Sequence, residues 1–187
     1  MTRTTIADEG FKQMKGAIFF DRDNTLIVDN GHTWKTSDFA FLSDSAEALA
    51  LLKAHQIPVF IATNQSGIAR GYFSETDMHK FNQHLIEQVD LKGGRITDIA
   101  FCPHHPDYPK KDAPTHCDCR KPSGGMLQKL SLQWQINLKK SVMIGDKQTD
   151  VQAGIAAGCL ESYLLDPSQS RVRLCSDIIS NYFSYTA

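Results

Sequence analysis

The sequence predicts a single doubly wound α/β domain, a parallel sheet with helices on both faces. Three observations predict it. Strand-like apolar runs alternate with helix-like segments along the chain, the pattern of crossover units. Carboxylates, hydroxyls and a basic pair recur just where those runs end. At 187 residues the chain suits one ordinary domain, 1–187, able to bury a substantial core.

The elements follow in order. Residues 17–20, AIFF, read as a first strand. Residues 45–55 place apolar side chains at helical spacing, with Asp44 as the expected cap. Residues 57–62 are a second strand. Ser74, with Asp77 three residues on, opens a helix to about Val89. A third strand covers 96–101. Residues 102–122 are proline-rich, hold three cysteines and break all periodicity; so long a loop needs something to order it. A helix over 125–135, a strand over 141–144, a helix over 150–157 ending near Gly158 and a strand over 160–165 complete the pattern. The last twenty or so residues carry no clear signal. Trp134 is expected in the core, and Trp34 in a substrate loop.

Composition narrows the class. The chain is 41% hydrophobic and 22% charged, ordinary for a soluble globular protein. A net charge of -1 gives no basic excess, so neither nucleic acid nor a membrane surface is an expected partner. The first sixteen residues lack the apolar region of an export signal, and no apolar run approaches the ~18 residues of a membrane span. A cytoplasmic monomer is expected. Five cysteines, an odd number, argue against a disulfide framework in a reducing compartment and favour metal ligation.

The chemistry begins at AIFFDRDNTLIV, 17–28. Asp21 and Asp23 stand two residues apart after a buried strand, so their side chains face the same way. Ligands of open α/β sheets bind at such strand ends. Two like charges held close call for a cation, and a hard divalent ion with several waters suits Mg²⁺. The second strand leads into Thr63-Asn64-Gln65-Ser66, whose hydroxyls and amides suit phosphoryl oxygens. The fourth leads into Asp146, with Asp150 a helical turn later, and Arg120 and Lys121 lie in the chain between the second-strand and fourth-strand segments.

In that order the residues D-R-D-x-T, T-N, K-P and G-D-x-x-x-D resemble the haloacid dehalogenase superfamily of phosphotransferases over about 16–165. The resemblance implies a Rossmann-like core with Asp21 as nucleophile, Asp23 as general acid and base, and Thr63 and Lys121 on the phosphoryl group. Mg²⁺ would be held by Asp21, Asp23 and Asp146, with Asp150 in the same acidic motif. Asn24 stands where the family carries glycine; asparagine is among the residues that best tolerate positive φ. The short stretch between Asp23 and Thr63 leaves no room for a large cap domain.

The loop reads C-P-H-H, then C-D-C. Cys102, His104, Cys117 and Cys119 form a closed set suited to structural Zn²⁺, with His105 and His116 as alternatives to His104. Zinc would order the loop and fix Arg120 and Lys121. Together with NQSGIARG, this loop is similar to the superfamily branch of heptose-bisphosphate and histidinol-phosphate phosphatases. That resemblance implies hydrolysis of the 7-phosphate of D-glycero-D-manno-heptose 1,7-bisphosphate, on the way to lipopolysaccharide core sugars. Histidinol phosphate or another phosphosugar is the alternative substrate. Asp29, Asn30, Gly31, His32, Thr63, Asn64, Gln65, Ser66, Arg120 and Lys121 would contact substrate, with His32 in place of the branch's tyrosine. Rival readings outside hydrolysis are a receiver-like domain that stores phosphate and a zinc-stabilised binding module.

Overall fold

The computed structural model describes residues 15–108 and 117–183. Five parallel strands form one sheet in the order β3-β2-β1-β4-β5. They are β1 (Ile18–Phe20), β2 (Val59–Asn64), β3 (Asp98–Cys102), β4 (Val142–Gly145) and β5 (Glu161–Leu164). The helices are α1 (Ser45–Ala54), the single turn α2 (Ser66–Ala69), α3 (Glu75–Leu91), α4 (Gly125–Trp134), α5 (Gln148–Ala157) and α6 (Arg171–Ile178).

Alternation along β1 builds both faces of the sheet. Ile18 and Phe20 join α1, α3 and α6 in one apolar core; Ala17 and Phe19 join α4 in the other. The chain winds from β1 through β2 to β3, then returns to the opposite side of β1 for β4 and β5. The sheet therefore reverses at β1, which is where a doubly wound fold opens its ligand crevice.

Several expected boundaries move. β2 ends at Asn64, and its last two residues, Thr63 and Asn64, pair with Phe101 and Cys102 of β3, which sets the expected phosphoryl-binding threonine at the strand end. Asp44 precedes α1 but makes no side-chain cap there. Its carboxylate instead accepts from Ser170 Oγ and Val172 N at the start of α6, a helix the sequence left unread. Trp134, expected in the core, is half exposed: its ring lies 6.1 Å from that of Phe60 while its Nε1 donates to Asp98 Oδ2 at 2.8 Å, which holds the indole at the rim of the sheet. Trp34 stacks on Phe73, ring centroids 5.7 Å apart. Among the described residues no helix is long and apolar enough to cross a membrane.

Candidate active site

Asp21 leaves β1 with its main-chain N–H bonded to Ile144 O of β4 at 2.9 Å, so the first carboxylate is pinned at the reversal point. Lys121 Nζ donates to Asp21 Oδ1 at 2.6 Å, to Ala62 O at 2.7 Å and to Asp150 Oδ1. An ammonium has three hydrogens, and here all three have acceptors. Burial alone would lower the Lys121 pKa; Asp21 and Asp150 outweigh it and hold the ammonium charged. Asp150 in turn accepts Lys147 N at 2.9 Å through Oδ2, closing the first turn of α5. Gly145 makes this possible, since a Cβ there would strike the Asp150 side chain.

Asp23 sits in a different set of contacts. Arg22 Nε and Nη2 donate to its two oxygens at 2.9 and 3.1 Å, and Gln65 Nε2 donates to Oδ2 at 2.8 Å. Arg22 is fully buried, and its remaining contacts are Asn82 Oδ1 at 3.0 Å, Thr33 O at 3.0 Å, Met78 Sδ and the face of Phe81. A charge so deep persists only when paired and hydrogen-bonded. Sequence reasoning passed over Arg22 because nothing local says which way an arginine beside a strand turns. Beside any cation, each carboxylate has its own positive partner: Lys121 pairs with Asp21 and Arg22 with Asp23. Burial pushes the Asp23 carboxyl above its ordinary range, Arg22 pulls it back, and Asp21 adds to the rise. Gln65 Nε2 also donates to Thr63 Oγ1 at 2.9 Å, linking the hydroxyl to the acid.

Asp21, Asp146 and Asp150 bring carboxylate oxygens within 4.8 Å of one another. Asp23's carboxylate is not part of that group, so its expected place among the side-chain ligands gives way to the Arg22 pairing. Asp146 Oδ1 is buried without a hydrogen-bond partner. Burial first, then Asp21 and Asp150, push Asp146 up to about 6, against the pull of Lys147. An all-oxygen set holding an orphaned anionic atom fits a hard divalent cation.

The walls come from the loops. Asn24 takes φ 58° and Gly31 φ 98°; His32, at φ 63°, meets Tyr72 edge-on at 5.1 Å. Asp29 Oδ1 accepts Thr33 N at 2.7 Å and Thr33 Oγ1 accepts Asn30 N at 3.2 Å, which folds 29–33 into a tight loop. Asn30 and Gly31 are exposed, and Ser66, half-buried, opens α2. Asn64, expected on substrate, clamps the Lys121 main chain through both ends of its amide, each at 3.0 Å. Arg120 Nη1 donates to His104 O at 2.9 Å, tying the basic pair to the cysteine loop.

In that loop Cys102, His104, Cys117 and Cys119 converge. All six distances among the three Sγ atoms and His104 Nδ1 lie between 2.9 and 3.7 Å. Four atoms in mutual contact make a tetrahedron, and no sulfur pair approaches the ~2.05 Å of a disulfide. Cys102 and burial hold the Cys119 thiol far above its ordinary value. A central divalent cation would relieve that crowding, and three sulfurs with one imidazole suit zinc. His105 turns away to Arg70 and Tyr108, while His116 lies outside the described residues.

Residues 17–163 match the family described as Polynucleotide kinase 3 phosphatase. A D-glycero-beta-D-manno-heptose-1,7-bisphosphate 7-phosphatase of Pasteurella multocida is 42% identical over 144 residues, 77% of this chain and 78% of that one. The chain belongs to the haloacid dehalogenase superfamily, in its heptose-bisphosphate phosphatase branch. Two crystal structures from this superfamily share its fold. A HAD-like phosphatase from Mesorhizobium loti superposes with TM-score 0.80 at 28% identity, covering 89% of this chain and 85% of that one. D,D-heptose 1,7-bisphosphate phosphatase from B. bronchiseptica, complexed with magnesium and phosphate, gives TM-score 0.71 at 29% identity over 87% and 86%. Like the relatives it matches, the chain is a phosphatase, and among the described residues its parallel sheet carries no large cap domain.

Proposed function

We propose that this phosphatase removes the 7-phosphate of D-glycero-D-manno-heptose 1,7-bisphosphate through an aspartyl-phosphate on Asp21. The observation that carries the reading is the pairing at the sheet reversal: Asp21 held by Lys121 at 2.6 Å, and Asp23 held separately by Arg22 and Gln65. The relatives named for that substrate support the choice of sugar.

An Asp21 oxygen attacks phosphorus while the bond to the sugar oxygen breaks. Asp23, its carboxyl raised by burial, gives its proton to the leaving sugar oxygen. In the second half Asp23 takes a proton from water as that water displaces Asp21 from phosphorus, releasing inorganic phosphate. Lys121 surrenders part of its bond to Asp21 and shares it with the phosphoryl oxygens, with Thr63 opposite. Mg²⁺ would be held by Asp21 and Asp146 with Asp150 behind them, and it supplies the positive charge that lets a carboxylate approach an anionic phosphate. Zn²⁺ would occupy the Cys102, His104, Cys117 and Cys119 tetrahedron, holding Arg120 and Lys121 in place and taking no part in the chemistry.

The paired acid in Asp23 argues against phosphate storage, which requires slow hydrolysis. We place the protein in the cytoplasm, as a monomer of one domain, in the supply of activated heptose for lipopolysaccharide. The test is phosphate release from the heptose bisphosphate and from histidinol phosphate, with Mg²⁺ and with EDTA. Asp21→Asn should abolish turnover. Faster turnover of histidinol phosphate would transfer the assignment to the sister substrate.

A further inference from the structure

We propose that Gln65 is a positioning residue that turns the hydroxyl hydrogen of Thr63 toward the phosphoryl group as it passes to Asp21. The inference rests on the aspartyl-phosphate reading above and gives the amide a role other than contact with the sugar.

Gln65 is held at main chain and side chain alike. Its N–H donates to Cys102 O at 2.8 Å, across from the end of β3. Its carbonyl accepts Ile68 N at 3.2 Å and starts the turn of α2. The residue is buried, so the amide has no room to swing into solvent. Thr63 is buried as well and lies in the ladder opposite Phe101. The residue before it, Ala62, lends its carbonyl oxygen to Lys121 Nζ at 2.7 Å. Hydroxyl and ammonium are thus anchored at adjacent residues of one strand.

The amide nitrogen carries two hydrogens, and both are spent here. One goes to Asp23 Oδ2 at 2.8 Å and the other to Thr63 Oγ1 at 2.9 Å. The amide does not sit the other way round, because Oε1 would then face a carboxylate oxygen, acceptor against acceptor. A hydroxyl oxygen has two lone pairs and one hydrogen. With Gln65 donating to the oxygen, Thr63 keeps its hydrogen for a different acceptor. Among the described residues none takes it. A fixed hydroxyl with an uncommitted hydrogen is a donor ready for an anionic oxygen, and it needs no reorganisation as charge develops. Without the amide, the hydroxyl rotates about its C–O bond and is free to spend that hydrogen on an oxygen of the protein.

The test reads kcat/KM on p-nitrophenyl phosphate with Mg²⁺, for Gln65→Met and Gln65→Glu, each alone and combined with Thr63→Val. This leaving group departs without a proton, so contacts that serve Asp23 alone drop out of the measurement. Gln65→Met should lower kcat/KM roughly 10- to 100-fold, the worth of one charge-assisted hydrogen bond. Gln65→Glu keeps the shape but brings at most one hydrogen, and should lose as much. In Thr63→Val there is no hydroxyl to aim, so adding either change at Gln65 should cost under about threefold, the scatter between independent sites. A fold damaged through Gln65 would instead lose activity in both backgrounds. Single variants as active as the wild type, or a loss that recurs in full beside Thr63→Val, would overturn the role of Gln65 and leave the aspartyl-phosphate reading standing. Full turnover in Asp21→Asn would remove both.

Discussion

At the residue scale the two aspartates of DRDNT differ in what surrounds them more than in what they are. Asp21 meets a lysine and lies beside two further carboxylates; Asp23 meets a buried guanidinium and an amide. Arg22 is a positioning residue: it fixes the orientation of Asp23 and is itself walled in by Met78, Asn82 and Phe81. Lysine cannot reproduce a two-pronged contact. Arg22→Lys should therefore lower kcat/KM on a sugar phosphate on the order of 100-fold, within the span of general acid catalysis. It should lower kcat/KM on p-nitrophenyl phosphate far less, because that leaving group departs without a proton. Equal losses on both would make Arg22 merely structural. Asp146 leads to a pH dependence. Its carboxyl, raised to about 6, is protonated in the cation-free protein below that pH and ionised above it. Protons then compete with Mg²⁺, so its affinity should fall by up to about tenfold per unit as pH drops below 6. Calorimetric Mg²⁺ titrations from pH 7.5 to 5 would read this, and an affinity that stays level would refute it.

At the element scale the cysteine loop and the sheet edge act together. Cys102 ends β3 opposite Asn64 in β2, and Asn64 grips the main chain of Lys121. A cation in the sulfur cluster would steady the lysine at the reacting centre through one ladder and one amide. Replacing Cys117 and Cys119 by serine should remove about one equivalent of zinc per chain. A stability loss of about 3 kcal/mol would lower Tm by roughly 6–12 °C. Native protein without zinc in elemental analysis would contradict this. The cysteine spacing was legible in the sequence because ligand chemistry fixes it. The four aspartates were legible through the order in which the motifs recur, since each alone reads equally well as a turn or a helix cap. What stayed hidden were choices among polar partners. Asn64 and Gln65 look like substrate contacts, yet their amides serve Lys121, Thr63 and Asp23. Arg22 is indistinguishable from a surface charge until α3 packs over it.

At the scale of the whole molecule the C-terminal segment, silent in the sequence, closes the larger core. Leu174, Cys175, Ile178 and Ile179 are buried in it beside α1 and the strands. Their helix repeats apolar residues too briefly to be distinguished from a loop by pattern alone. Arg171 Nε donates to Thr25 O at 2.7 Å, joining this segment to the loop that carries Asp21 and Asp23. Asp44 is the second tie, accepting from Ser170 Oγ and from Val172 N at 3.1 Å. Burial alone would raise the Asp44 pKa; hydrogen bonds from Ser170, Val172 and Arg171 outweigh it and set the carboxyl below its ordinary value. An acid whose folded pKa is depressed adds stability above its unfolded pKa and loses it as pH falls through the folded one. Asp44→Ala should therefore cost about 1 kcal/mol near neutral pH, the usual worth of a helix cap, or roughly 2–4 °C in Tm. The gap between variant and wild type should begin to narrow below pH 3.8, the unperturbed aspartate value, and shrink further as pH falls through the lower folded value. Thermal melts at pH 7 and pH 3 read both arms. A gap that persists in acid would mean that Asp44 acts by packing and not by charge, and the C-terminal helix would then be held to the catalytic loop by Arg171 and its apolar face.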